Sequence, residues 1–202
     1  MQPADLEQVR AALLAHEAGR VPDAVAARAA VALVLRQGAA GLELLFIRRA
    51  DDPRDPWSGQ MAFPGGRAEP GDPELRATAI RETLEEIGLD LARRGEYLGA
   101  LDEVRAMARL RPLDLAITPF VFHLRGEAAL TVGEEVESVH WLPLAGLLSL
   151  EARSSYEYRH DGGVLSFPCL RLEGVVIWGL TYRMLGSFTS LLAPSHAEGA
   201  PA

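Results

Sequence analysis

The chain has 202 residues, 49% of them hydrophobic, which is enough for one well-packed domain; its formal charge of −8 argues against a nucleic-acid partner or an anionic membrane surface, since both select for basic faces. All 20 Lys/Arg positions are arginine, so lysine Schiff-base chemistry and a Walker-type phosphate loop are excluded, as is N-glycosylation in a chain without asparagine. A single cysteine, Cys169 in the run FPCL, excludes an intrachain disulfide and reads as a small buried hydrophobe, while the absence of a basic-then-apolar leader or a membrane-length apolar run predicts a soluble, cytoplasmic protein.

From Ala4 to Ala18 the pattern is that of an amphipathic helix with Leu6, Val9, Leu13 and Leu14 on one face, packing either on its own domain or on a second subunit of a homodimer. Residues 1–22 therefore read as a helix and linker, 23–192 as the main domain and 193–202 as a disordered tail. AAVALVLR (29–36) and LELLFIRR (42–49) predict two strands around a turn at Gln37 to Gly41, followed by the irregular stretch ADDPRDPWSG. MAFPGGRAEPGD (61–72) begins as a short strand and ends as a glycine-rich loop. Asp72 then suits a helix N-cap, with Pro73 at the first helical position and Gly88 as the stop.

Strands are expected at 96–104, 114–124 and 135–142, with RAMARLRP (105–112) as an arginine-bearing loop. A short helix follows at 143–150. A hairpin then turns at Asp161-Gly162-Gly163, and 175–192 reads as a closing helix. The fold class is α/β, a mixed sheet flanked by helices.

The helix containing RETLEEIG (81–88) carries the chemistry. At ~100° per residue, Glu82, Glu85 and Glu86 share one face, and Ala77, Ile80, Leu84 and Ile87 lie roughly opposite. Three like charges near a helix C-terminus repel one another and oppose the macrodipole. A hard divalent cation relieves both penalties, and the FPGG loop upstream brings a backbone that approaches ligands closely and offers carbonyl oxygens. No serine or cysteine pairs with a histidine in a recognisable nucleophile motif, and histidines 16, 123, 140, 160 and 196 have no metal-ligand spacing, so zinc is not expected.

These residues resemble the Nudix hydrolases, whose signature is G-x5-E-x7-R-E-U-x-E-E-x-G-U, with U apolar. Residues 81–89, RETLEEIGL, reproduce the second half with Thr83 at the first apolar position. The first half departs: after Gly66 and five intervening residues comes Asp72, and eight rather than seven residues separate Asp72 from Arg81. The longer spacing and the upstream GQMAFPGG are similar to the coenzyme A pyrophosphatase branch of the family. That branch's upstream motif is matched by Ala50, Arg54, Gly59 and Phe63 to Gly66, without its threonine and with one extra residue between Arg54 and Gly59.

The resemblance covers residues 28–190 and implies a Nudix-like α/β/α sandwich. It also implies Mg²⁺- or Mn²⁺-dependent hydrolysis of a diphosphate linkage in a nucleoside diphosphate derivative such as coenzyme A. ADP-ribose, a dinucleotide polyphosphate or a non-catalytic nucleotide-binding role are the alternatives. By the family pattern Glu82, Glu85 and Glu86 supply metal carboxylates and Gly65 a carbonyl, with Arg81, Gly66 and Gly88 structural. The general base is Glu85, or Glu134 or Glu135 in the loop before VESVHWLP. Phosphate-facing arginines are sought among Arg48, Arg54, Arg67, Arg109 and Arg111.

Overall fold

Strand β1 (Ala27–Gly38) sends alternate side chains into two cores. Ala29, Val31, Leu33 and Leu35 join one, and Ala30, Ala32 and Val34 the other. A strand buried on both faces needs a layer of structure on each side, and helices supply it. The structure is a computed structural model that describes residues 5–21, 25–108, 111–160 and 162–193.

On the first face lie α1 (Leu6–Ala15), contributing Val9 and Leu13, and α5 (Gly179–Leu192), contributing Met184, Leu185 and Phe188. On the second lies α2 (Leu75–Ile87), contributing Ala79 and Ile87, with α3 (Leu91–Arg94) beyond it. This is the expected α/β/α arrangement. The sheet is mixed: β1 runs parallel to β7 (Arg111–Leu124) and antiparallel to β2 (Gly41–Arg49). Strand β5 (Gly95–Ala100) pairs with β7, and β8 (Val136–Pro143) with β2. After α4 (Leu144–Leu148), strands β9 (Arg153–His160), β10 (Gly163–Leu172) and β11 (Val175–Trp178) form a separate three-stranded antiparallel sheet.

The irregularity that builds the site is a split between β1 and β2. Their pairing runs only from Gly38↔Gly41 to Leu35↔Leu44. Beyond it the strands part, and the segment 61–67 fills the gap: β3 (Met61–Ala62) pairs with β2 and β4 (Gly65–Arg67) with β1. The Ala32 N–H donates to the Pro64 carbonyl at 2.8 Å, so the FPGG turn is stitched into the sheet.

Several expectations change. Of the four residues expected on one face of α1, Val9 and Leu13 are buried and Leu6 packs against the same core, but Leu14 points away and is 88% exposed. The described residues of RAMARLRP are strand rather than loop: β6 (Val104–Ala108) pairs with the start of β7, burying Val104 and Ala106 while Arg105 and Met107 point away. The strand alternation was present but masked by its arginines. Residues 175–178 are strand β11, ahead of a helix that begins at Gly179. The closing tail from 194, the first residue of the Asp161 turn, His196 and Arg109 lie outside the described residues. Cys169 is buried as a core residue. Among the described residues no helix is long and apolar enough to cross a membrane.

Candidate active site

Helix α2 ends at Gly88, whose φ of +67° is the left-handed conformation that glycine adopts without strain. Its start differs from expectation. The N-cap is Glu74 with no side-chain cap, and Asp72, three residues before the helix, turns its carboxylate to Arg81 instead. The helix buries Thr78, Ala79, Thr83, Glu86 and Ile87, whereas Leu84, expected on the apolar face, is 48% exposed. Thr83 stands where the family signature has an apolar residue, and its hydroxyl is satisfied by donating to the Ala79 carbonyl at 2.6 Å.

Burying Thr83 and Ile87 turns Glu86 inward with them, and Glu86 is only 5% exposed. One of its oxygens accepts the Gly65 N–H at 2.9 Å, and the other lies 3.8 Å from Arg49 Nη1. Burial dominates these partners and pushes the Glu86 carboxyl up to about 8, with Glu82 and Glu135 raising it further. Glu82 is also raised, again chiefly by burial and against the pull of Arg81. Glu85 stands at the rim, its side chain 58% exposed.

The glycines explain how the carboxylates come so close to the loop. A Cβ on Gly65, at φ +151°, would stand 2.2 Å from the Ala30 carbonyl oxygen and 2.6 Å from Val31 Cα. A Cβ on Gly66 would meet the Glu82 carboxylate at 2.5 Å. Gly65 thus lets β4 enter the split sheet, and Gly66 leaves the space that Glu82 fills.

Arg81 ties the cluster together. Its Nη1 donates to Glu82 Oε1 and Glu85 Oε2, both at 3.0 Å, and Nη2 also reaches the Arg67 carbonyl at 3.1 Å. Its fork grips Asp72 through Nε and Nη2. Asp72 in turn accepts from Thr78 Oγ1 at 2.8 Å and the Glu69 N–H at 3.0 Å, and these bonds, led by Arg81, hold its carboxyl well below the usual range.

The fourth carboxylate arrives from another element. The N–H groups of Thr131 and Gly133 donate to the Ile87 and Glu86 carbonyls at 2.9 and 2.8 Å, satisfying acceptors at the C-terminus of α2. A Cβ on Gly133 would lie 2.9 Å from the Glu85 carbonyl oxygen, so this approach needs glycine. The loop thereby brings Glu135 to a cleft of about 390 Å³ whose walls include Glu82, Glu85, Arg49, Gly65, Gly66 and Arg67. Its neighbour Glu134 is exposed and does not line that cleft.

Among the described arginines expected to face phosphate, only Arg67 lines the cleft. Arg48 is half-exposed and pairs with Glu137 at 3.0 Å, Arg54 is 89% exposed and pairs with Asp52, and Arg111 is exposed at the start of β7. Arg49, beside Arg48 in sequence, is the one turned inward; its Nε donates to Asp55 at 2.6 Å. Alternation along β2 puts Arg49 on the face of Leu45 and Ile47, which α2 covers, and Arg48 on the face of Leu44 and Phe46; both faces of β2 are apolar, so the sequence alone does not say which one the site uses.

These residues fit a hard divalent cation. The donors are carboxylate and carbonyl oxygens, and two of the carboxylates are buried beyond what their partners neutralise. Among the described residues no three acidic, histidine or cysteine groups close into a cage around one point. Mg²⁺ needs none, since it takes one or two carboxylates and completes its shell with waters and substrate phosphates.

The split sheet, the flanking helices and the acid-walled cleft define an α/β/α domain whose site suits a phosphorylated ligand with an accompanying cation. The NUDIX domain family matches residues 26–160, and the chain belongs to the Nudix family of hydrolases. The uncharacterized Nudix hydrolase NudL of Yersinia pestis is 33% identical over 147 residues, covering 70% of this chain and 68% of that one. The uncharacterized protein C14C4.10c of Schizosaccharomyces pombe is 42% identical over 115 residues, 55% of this chain but 35% of that longer protein. Among solved structures, the C. elegans Ap4A hydrolase in a binary complex shares the fold with a TM-score of 0.55 at 16% identity, covering 83% of this chain and 98% of that one.

Proposed function

We propose that the protein hydrolyses the diphosphate linkage of a nucleoside diphosphate derivative with Mg²⁺ or Mn²⁺, and that coenzyme A or a related conjugate is its substrate. The carrying observation is Glu86, a buried carboxylate held against the Gly65 N–H beside Glu82, Glu85 and Glu135. Such a concentration of acid destabilises the site unless a cation joins it. The GQMAFPGG segment and the lengthened spacing to Arg81 favour the coenzyme A branch.

In this reading Glu82, Glu85 and Glu86 hold the cation, with the Gly65 carbonyl. When bound, a divalent ion supplies charge neutralisation to the phosphate oxygens and acidifies a water molecule. Arg81 keeps the Glu82 and Glu85 carboxylates in place, and Arg67, whose guanidinium makes no hydrogen bond among the described residues, binds phosphate oxygens. Glu135 accepts the water's proton: it lines the cleft without a hydrogen-bonded side-chain partner among the described residues, whereas Glu85 is held by Arg81.

The test is product identification after incubation with coenzyme A, ADP-ribose and dinucleotide polyphosphates, each with Mg²⁺ and with Mn²⁺. Coenzyme A cleavage yields 4′-phosphopantetheine and adenosine 3′,5′-bisphosphate. Absence of metal-dependent cleavage across the set would overturn the activity. Cleavage of the others in preference to coenzyme A would overturn the substrate.

A further inference from the structure

Beside the acidic cleft lies a second chamber of about 250 Å³, sharing Trp57, Gln60 and Leu180 with it. Its character is different. Tyr158 and Phe167 from the β9–β10 hairpin, Trp178 before α5 and Tyr182 in its first turn join Trp57 as walls. The rings brace one another: Tyr158 and Phe167 lie 5.6 and 5.9 Å from Trp178, which stacks on Tyr156 at 4.3 Å. Trp57 is fixed by an indole N–H donated to the Met107 carbonyl at 3.1 Å.

Two polar side chains break this apolar surface, and both lack hydrogen-bond partners among the described residues. Gln60 stands in the wall common to cleft and chamber, and Arg183 is exposed on the chamber lining. Flat, braced aromatic walls suit a planar ring, since stacking gains area without ordering flexible groups. A free guanidinium beside them suits an anion, most strongly a phosphate matched by its fork.

We infer that the chamber receives the nucleobase of the substrate and that Arg183 binds a phosphate carried on the nucleoside outside the diphosphate bridge, which makes the site selective for nucleotides bearing that extra group. The selectivity rests on the hydrolase reading for its consequence in catalysis. The binding itself does not. Gln60, between the two sites, is placed to hydrogen-bond the connecting sugar or base edge. Arg183 acts on recognition alone and takes no part in bond cleavage.

The experiment titrates the full chain with adenosine 3′,5′-bisphosphate and with adenosine 5′-monophosphate, following fluorescence of the chamber tryptophans. The bisphosphate should bind at least about tenfold more tightly, equivalent to one charged contact of about 1.4 kcal/mol. Arg183→Gln, a surface change whose fold is checked by thermal melting, should abolish that preference and leave monophosphate affinity unchanged. Phe167→Ala should weaken both ligands together. Equal binding of the two nucleotides, no binding of either, or a preference that survives Arg183→Gln overturns the proposal.

A kinetic arm separates this inference from the activity it builds on, comparing coenzyme A with its 3′-dephospho form. Arg183→Gln should lower kcat/KM for coenzyme A alone, through KM. Equal cleavage of both compounds by the unaltered protein overturns the selectivity and leaves the hydrolase standing. A retained binding preference with no cleavage of either does the reverse.

Discussion

Asp72 holds Arg81 by both oxygens, Oδ1 to Nε and Oδ2 to Nη2, each at 3.1 Å. The pair sets the Arg81 guanidinium where its remaining edge can reach Glu82 and Glu85. Asp72 occupies the place that the family signature gives to its first glutamate, with one residue added before Arg81. The shorter side chain still reaches because residues 72–74 precede the helix and run in non-helical backbone.

Asp72→Asn should therefore destabilise the protein by about 1–3 kcal/mol at pH 7, the scale of a hydrogen-bonded charge pair losing one partner. The pH dependence follows from a folded-state pKa depressed below that of the unfolded chain. Such a group contributes stability above its unfolded pKa of about 3.9 and loses it as pH falls toward the folded value. Urea unfolding of the two proteins should show a constant gap from pH 7 to about pH 5, narrowing as the pH drops below about 4. A gap that holds its size at pH 3 would contradict the ion-pair account.

Gly65 and Gly66 should fail differently when replaced by alanine. At Gly65 the new Cβ meets backbone, the Ala30 carbonyl oxygen and Val31 Cα, at a φ that L-residues avoid. Strands β1 and β4 would have to part, so a loss of about 3 kcal/mol or more in denaturant unfolding is expected. At Gly66 the obstacle is the end of the Glu82 side chain, which can swing aside. Gly66→Ala should keep most of its stability while losing turnover, because it displaces a proposed cation ligand. Equal stability losses in both variants would show that the loop yields as a unit.

Glu86→Gln removes a buried ionisable carboxyl and keeps the shape. Turnover should fall on the order of 100-fold, the scale expected when a ligand to a catalytic cation is lost. The metal-free variant should melt no lower than the metal-free original protein, since Gly65 can still donate to the amide oxygen. Adding Mg²⁺ should raise the melting temperature of the original protein and leave the variant nearly unmoved. A variant stabilised by Mg²⁺ as strongly as the original would remove Glu86 from the ligand set.

The sequence made the acidic helix legible because i, i+3, i+4 spacing is a local property, and so are the strands flanking Gln37–Gly41 and the stop at Gly88. What it hid depends on contacts between distant segments. Arg49 rather than Arg48 turns inward because alternation along β2 puts it on the Leu45 and Ile47 face, which the distant helix α2 covers with Glu86. Asp72 reads locally as a cap, yet Arg81 offers it a better partner. Leu84 belongs to the apolar pattern of α2 but falls outside the contact with the sheet, whose face takes Thr83 and Glu86. The aromatic chamber joins residues more than 100 positions apart, and no spacing rule could assemble Trp57 with Phe167.

Glu135 shows how that long-range information bears on catalysis. Between two adjacent glutamates the sequence offers no choice, and the fold supplies one through Gly133, whose N–H is bonded to the Glu86 carbonyl. Glu135→Gln should lower kcat about 10²–10⁴-fold, the usual scale for a general base, with KM and melting temperature little changed. Glu134→Gln should leave kcat within about twofold, because a solvated carboxylate outside the cleft contributes little to a reaction inside it. Gly133→Ala adds an independent check: pushing the loop off the Glu85 and Glu86 carbonyls should lower kcat as well, although the Glu135 carboxylate remains. Steady-state kinetics on all three variants would overturn the assignment if Glu134→Gln proved the more damaging of the two glutamate changes.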